Sequence, residues 1–307
     1  LELLNRTGVV SHLAFGCENN TLPLLKTLAN VLNNEPEDYK ILLKRHLSRG
    51  LSYPLARSRS LQTYLNIRET ELNQLLLGSN NILAIEYLRV IMQEKMPILP
   101  LPILRQGSSY HDLSIAPYAS ATAIRYALRH NGMSNQLITT MPESSWSVLK
   151  REVDEGRAPV ESRTLEQIVI TKLRMFSRLE LKEIYEITEG LENRFIEASM
   201  TTGKLDELQS MVKSKRYNLT RIQRSLLYIL FSITTQQILN FDNCGPQYIH
   251  LLGFSAKGQK ILQEMKNKSC IKMLNRGSDF KAYCENQAEP QSAAMAVLDR
   301  MTTDVYT

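Results

Sequence analysis

The chain has 307 residues, 43% of them hydrophobic and 22% charged, with a net charge of +6 and a sequence pI near 9.0. That is ordinary globular composition, with length enough for two domains that each bury a core. Its longest apolar runs, such as Leu226 to Ile233, are far too short to span a bilayer, and Cys17, Cys244, Cys270 and Cys284 are scattered without a C-x-x-C pair, which excludes a disulfide framework or zinc cluster and fits a reducing cytoplasm.

Val9 to Phe15 reads as a strand that stops at Gly16, where a glycine lets a ligand approach the backbone closely. Helices are expected over Pro23 to Asn33, Pro36 to Arg49 and Pro54 to about Leu65. Ser79 then caps a further helix through Glu94, with Leu83, Tyr87, Val90 and Ile91 on its apolar face. Ile98 to Leu104 is short, apolar and proline-bounded, the pattern of a buried strand. Strands alternating with helices imply a parallel sheet, here elaborated by a helical insertion from about 23 to 77.

Arg105 stands where the second strand ends, and the segment Arg105-Gln106-Gly107-Ser108-Ser109-Tyr110-His111-Asp112 follows it. Ser120 or Thr122 opens a new apolar-periodic helix carrying Ile124, Arg125, Ala127 and Leu128. A fixed cation beside a hydroxyl-rich helix N-terminus, at the carboxyl edge of a parallel sheet, makes a phosphate site. The plain alternative is a capped helix after an ordinary loop. His111-Asp112 is given a supporting role in orienting a water or phosphate. Arg125, one turn into that helix, offers bidentate recognition that lysine cannot.

After Asn131-Gly132 the strand signal disappears. Met141 to Ser145 starts a helical region, with Trp146 as an anchor of the domain junction and helices over Leu165–Phe176, Leu179–Ile187, Leu191–Ala198, Leu205–Val212 and Leu219–Ile233. No acidic residue lies between Glu207 and Asp242, while Lys213, Lys215, Arg216, Arg221 and Arg224 fall inside that window. Such a stripe neutralises phosphates, and Tyr217 would stack on a base; the alternative is a solvated helix face. Gly253 and Gly258 read as a short hairpin, and the segment beyond about 270 as irregular and without chemistry.

Ser120-Ala121-Thr122-Ala123-Ile124-Arg125 resembles the Ser/Thr-rich "ISSTxIR" element of the nucleotidyltransferase superfamily. The wider chain resembles the bacterial tRNA(Met) cytidine acetate ligases, through Phe15 to Asn19, Gly50 to Pro54, Ser79 to Leu83, Arg105 to Asp112, Ser120 to Arg125, Lys215 to Arg224 and Leu251 to Phe254. The resemblance implies an α/β nucleotidyltransferase-like fold, a Rossmann-like parallel sheet present in part, over residues 1–140, followed by an all-helical tRNA-binding domain over 141–307. It implies an enzyme that uses ATP and acetate to form acetyl-adenylate and acetylates the wobble cytidine of elongator tRNA(Met), with Mg²⁺ held by the ATP phosphates and no membrane partner. Gly16, Asn80, Asn81, Arg105, Ser120, Thr122 and Arg125 would hold ATP, with Arg105 and Arg125 neutralising charge in the reaction. Lys213, Lys215, Arg216, Tyr217, Arg221 and Arg224 would hold tRNA.

These ligases begin with a His-x-Gly-His turn, whereas the histidines here are His12, His46, His111, His130 and His250, and none forms that motif. The chain is therefore expected to lack the first βα units and to be inactive alone. Two further readings stay open: a small-molecule adenylyltransferase of the same superfamily, and a non-catalytic RNA-binding fragment.

Overall fold

The computed structural model describes residues 1–18, 21–104, 114–115, 119–160 and 163–306. In chain order its elements are α1 (Glu2–Arg6), β1 (His12–Cys17), α2 (Leu22–Asn34), α3 (Glu37–Ser48), α4 (Tyr53–Leu65), α5 (Glu69–Leu77), α6 (Ser79–Gln93), β2 (Leu99–Leu104) and α7 (Ala121–Asn131). Then follow α8 (Asn135–Ile138), α9 (Glu143–Asp154), α10 (Arg163–Met175), α11 (Arg178–Glu183), α12 (Leu191–Thr201), α13 (Leu205–Val212), α14 (Leu219–Leu230) and α15 (Thr235–Cys244). The chain closes with β3 (Tyr248–His250), α16 (Ala256–Lys268), β4 (Lys272–Leu274), α17 (Gly277–Cys284) and α18 (Pro290–Tyr306).

Two compact units result. The first holds Leu1–Ser114 and Gly253–Lys272, the second Ala121–Leu252 and Met273–Thr307. The chain passes from the first unit to the second between Ser114 and Ala121, and α16 belongs to the first unit. That placement is fixed by backbone: Cys270 N donates to Arg6 O at 3.2 Å. Gly8, at φ +69, lies so near Lys268 that a Cβ there would sit 2.9 Å from its carbonyl oxygen.

In the first unit β1 and β2 pair in parallel, from His12↔Leu99 to Cys17↔Leu104. A parallel pair needs a long crossover, and α2 to α6 supply it. Apolar residues spaced for one helical face, Leu25, Leu28, Ala29 and Leu32 of α2, meet Phe15, Tyr39, Leu61, Leu72, Ile85 and Leu88 in one core. Thr21 and Pro23 start α2, and Glu35 ends it in the left-handed region. On α6 the buried apolar residues are Ala84, Ile85, Leu88 and Ile91, whereas Leu83, expected to face inward, is exposed. The Ile98 strand is also only half as expected: Ile98 is buried, but Leu101 is 49% and Ile103 55% exposed, because one face of the pair packs on helices and the other does not.

The second unit is mostly helical, but the stretch expected to be all-helical also carries the short two-stranded sheet of β3 and β4. The unit's core gathers Val169, Ile170 and Leu173 of α10, Phe195 of α12, Leu208 and Val212 of α13, and Ile222, Leu226 and Ile229 of α14. Two arginines tie helix ends: Arg174 Nε donates to Ser199 O at 2.8 Å, and Arg194 Nε to Val212 O at 3.1 Å. The helix expected over Leu179–Ile187 stops at Glu183, because Ile184 turns extended and bridges to Thr234, with Tyr185 N donating to Ile233 O at 3.0 Å. Residues beyond 270 are not irregular: α17 and α18 pack Phe280, Tyr283, Cys284 and Ala296 around Leu274 and Tyr248. Trp146 is partly exposed on α9, a helix with no buried residue. Among the described residues no helix is long and apolar enough to cross a membrane.

Candidate functional site

Inward alternation along β1 buries Phe15 and Cys17 and leaves Gly16 exposed at the carboxyl end of the pair. A Cβ on Gly16 would meet no atom within 4 Å, so the backbone there is open to a ligand. Cys17 Sγ points at Ile103 O, 3.6 Å away, and burial pushes its thiol pKa up, which makes it a packing residue and not a nucleophile. The next residue carries the polar contacts: Glu18 N donates to Asn81 Oδ1 at 2.9 Å, and Asn80 Nδ2 donates to Glu18 Oε1 at 3.1 Å. Gly78 makes this possible, since a Cβ in its place would overlap the Glu18 carboxylate.

Asn81 is wholly buried. Its Oδ1 is used by Glu18, but its Nδ2 has no acceptor among the described residues. A buried amide donor left unpaired costs about 1–3 kcal/mol, so this position calls for an acceptor. α6 begins at Ser79, and its free backbone N–H groups and positive dipole end add to the same polar corner. At the head of α2, Thr21 Oγ1 is buried with no partner among the described residues. Of the residues expected to hold ATP, Asn80 and Asn81 both contact Glu18, two residues after Gly16. No sequence signal marks Glu18, which organises the asparagine pair; its role needs the fold.

Ser120 is buried in the first unit, and α7 opens the second at the next residue. On α7 Thr122 is half-buried and Arg125 exposed, with no ion pair from Arg125 among the described residues. Arg105, His111 and Asp112 lie outside the described residues. No group of three or more His, Cys, Asp or Glu able to hold a metal occurs among the described residues.

The basic window 207–242 takes a different form from the one its sequence suggests. Tyr217 is 4% exposed and its hydroxyl donates to Glu189 O at 2.7 Å, so its ring is part of the core and cannot stack on a base. Arg221 lies over that ring, 5.4 Å from its centroid, and donates to Glu186 O at 3.0 Å and Thr188 Oγ1 at 2.8 Å. Arg224 pairs with the Glu186 carboxylate at 3.1 Å, and Arg216 with Glu189 at 3.8 Å. The stripe is acid-free along the sequence only; the turn after α11 brings its carboxylates to it. Lys213 and Lys215 remain exposed and form no ion pair among the described residues.

The chain has a second acid-free window. From Tyr39 to Arg68 there is no Asp or Glu, and Lys40, Lys44, Arg45, Arg49, Arg57, Arg59 and Arg68 lie within it. The signal is the one used for 207–242 and is legible in the same way. Lys40 pairs with Glu37 at 2.9 Å and Arg57 with Glu86 at 3.6 Å. Lys44, Arg45, Arg49 and Arg59 are exposed, without an ion pair among the described residues.

The family described as HIGH Nucleotidyl Transferase matches residues 1–307. A protein of Syntrophomonas wolfei called tRNA(Met) cytidine acetate ligase is 49% identical over 306 residues, which cover 100% of this chain and 74% of that protein. One of the same name in Acetivibrio thermocellus is 35% identical over 313 residues, covering 100% of this chain and 74% of its own. The crystal structure of Thermotoga maritima TmcAL in its apo form I superposes with a TM-score of 0.88 at 31% identity, over 99% of this chain and 73% of that one. The same protein bound with alpha-thio ATP gives a TM-score of 0.87. The chain that presents the open Gly16 at the end of the parallel pair and the Glu18–Asn80–Asn81 corner beside α6 thus belongs to the tRNA(Met) cytidine acetate ligase family of HIGH nucleotidyl transferases.

Proposed function

We propose that the protein carrying this chain is an ATP-dependent acetate ligase that acetylates the wobble cytidine of tRNA(Met). An acetate oxygen attacks the α-phosphorus of ATP, the bond to pyrophosphate breaks, and acetyl-adenylate forms. N4 of the cytidine then attacks the acetyl carbonyl, AMP leaves, and the amine sheds a proton. Activation is needed because a carboxylate oxygen is a poor leaving group until it is phosphorylated.

The observation that carries this reading is the buried, unpaired Nδ2 of Asn81 beside the open Gly16 backbone. A nucleotide supplies the acceptor that this donor lacks, and Asn80 and Asn81 hold it. Ser120, Thr122 and the start of α7 bind phosphate oxygens, and Arg105 and Arg125 neutralise the charge that develops on them in the transition state. Mg²⁺ rides on the triphosphate and water, the usual mode for a cation that dehydrates reluctantly. In the helical unit, Lys213 and Lys215 are the free cations of the 207–242 window and contact tRNA phosphates, with Arg216, Arg221 and Arg224 in a weaker role because each already has a partner.

The test is acetate-dependent exchange of labelled pyrophosphate into ATP, followed by transfer of labelled acetyl to tRNA(Met). Exchange that needs acetate but no tRNA supports the reading. Exchange with another carboxylic or phosphate substrate in place of acetate would point to the small-molecule adenylyltransferase.

A further inference from the structure

The helices α3 and α4 hold the densest run of unpaired cations described in this chain. They pack through Tyr39, whose ring meets Tyr64 edge-on at 6.2 Å. Their outer surface gathers Arg45, Arg49 and Arg59 near His46: its Nδ1 is buried with no partner among the described residues, and its pKa is lowered by desolvation and then by Arg49, Arg59 and Arg45. These like charges have no ion pair among the described residues to offset their mutual repulsion. A polyanion supplies the missing counter-charge.

Beside this surface lies a cavity of about 390 Å³ between α4, α5 and α6. Leu55, Leu76, Ile82 and Ile85 line it, with Arg57 and Glu86 as its charged groups. Glu86 is held by Arg89 at 2.8 Å, and Arg89 Nε donates in turn to Asn33 Oδ1 at 3.1 Å. Arg57 Nη2 stands 3.6 Å from Glu86 Oε1, too long for a good hydrogen bond. An apolar slot thus presents a donor and an acceptor side by side. That pair matches a base edge with an exocyclic amine next to a ring nitrogen, the edge of cytosine or adenine. Tyr53, next in sequence to the lining residues Ser52 and Pro54, is 55% exposed and offers a ring for stacking.

We propose that α3 and α4 bind a single-stranded stretch of RNA, the anticodon loop of the tRNA, with backbone phosphates on Lys44, Arg45, Arg49 and Arg59 and an amine-bearing base in the Arg57–Glu86 slot. This rests on the tRNA reading above and locates its acceptor base.

The experiment is fluorescence anisotropy of the full 307-residue chain with labelled anticodon stem–loops bearing C, U or A at the wobble position, titrated with salt. Arg45→Ala, Arg49→Ala and Arg59→Ala together should flatten the log–log salt slope by about two units, at roughly 0.7 per single-strand phosphate contact. Arg57→Ala should remove a preference for C over U that is at least about fivefold in the unmodified chain. Tyr53→Ala should weaken binding with the slope unchanged. The triple variant binding with unaltered slope would overturn the proposal. So would competition by ATP that abolishes the C-over-U preference, which would give the slot to adenine of the nucleotide, or equal competition by an acidic peptide, which would give the surface to a protein. Acetate-dependent pyrophosphate exchange requires no RNA, so its loss with RNA binding intact would remove the ligase reading alone, and its persistence beside an unaltered slope would remove this proposal alone.

Discussion

Asn81 spends its carbonyl oxygen on Glu18 N and keeps its amide hydrogens for a ligand. Replacing it tests both halves at once. Asn81→Ala is predicted to lower ATP affinity roughly tenfold, the loss of about one net hydrogen bond, and to cost about 1–3 kcal/mol of stability by stranding Glu18 N. Calorimetric titration with ATP, beside thermal unfolding, reads the two effects; an unchanged ATP affinity would remove Asn81 from the site. Arg125→Ala should do something else. Arg125 is exposed and unpaired among the described residues, so stability should hold while pyrophosphate exchange falls by about 2–4 kcal/mol in its barrier. Exchange at the unmodified rate would end its assignment.

A third residue tests the electrostatics directly. Glu152 takes hydrogen bonds from Arg157 and Arg151, which pull its pKa down to about 2. A carboxylate with a depressed folded pKa stabilises the fold above its unfolded value and loses that contribution as pH falls toward the folded one. Acidification from about 4.5 to 2 should therefore loosen the end of α9, and Arg157→Ala should raise the Glu152 pKa in an NMR titration. A titration midpoint unmoved by that substitution would contradict the cause. At this scale Gly16 and the Asn80-Asn81 pair were legible, because a glycine at a strand's end and a paired-asparagine turn carry their meaning locally. Tyr217 was not, since the carbonyl that takes its hydroxyl lies 28 residues away, and nothing nearby in sequence marks it as core.

Among the elements, the β1–β2 pair has one unusual face. Parallel strands are normally covered on both sides, yet Leu99, Leu101 and Ile103 are all exposed beside their partners His12, Ala14 and Gly16. Apolar surface of this kind drives association. Leu101→Thr with Ile103→Thr keeps strand propensity while removing that surface, and sedimentation velocity should show less self-association than in the unmodified chain; equal or greater association would contradict the account. The strands and their parallel pairing could be read from short proline-bounded apolar runs separated by helices. Which face was covered could not, because a continuous apolar run looks the same whether one side or two are packed. The helices beyond residue 270 were missed for the converse reason: their apolar residues are few and meet only in the packed cluster around Leu274.

For the whole molecule, net charge of +6 says that a polyanion is favoured and not where it binds. Pairing decides that. The window 207–242 spends its arginines on Glu186 and Glu189, while the window 39–68 leaves most of its cations unpaired among the described residues. Sequence alone ranks the two alike, since only the fold shows which carboxylates come near. The most direct test of the ligase reading is the nucleoside composition of elongator tRNA(Met) in cells from which the gene encoding this chain has been deleted. The account predicts that the acetyl group on the wobble cytidine disappears and returns when the gene is restored; acetylcytidine persisting at its normal level in the deletion strain would contradict it.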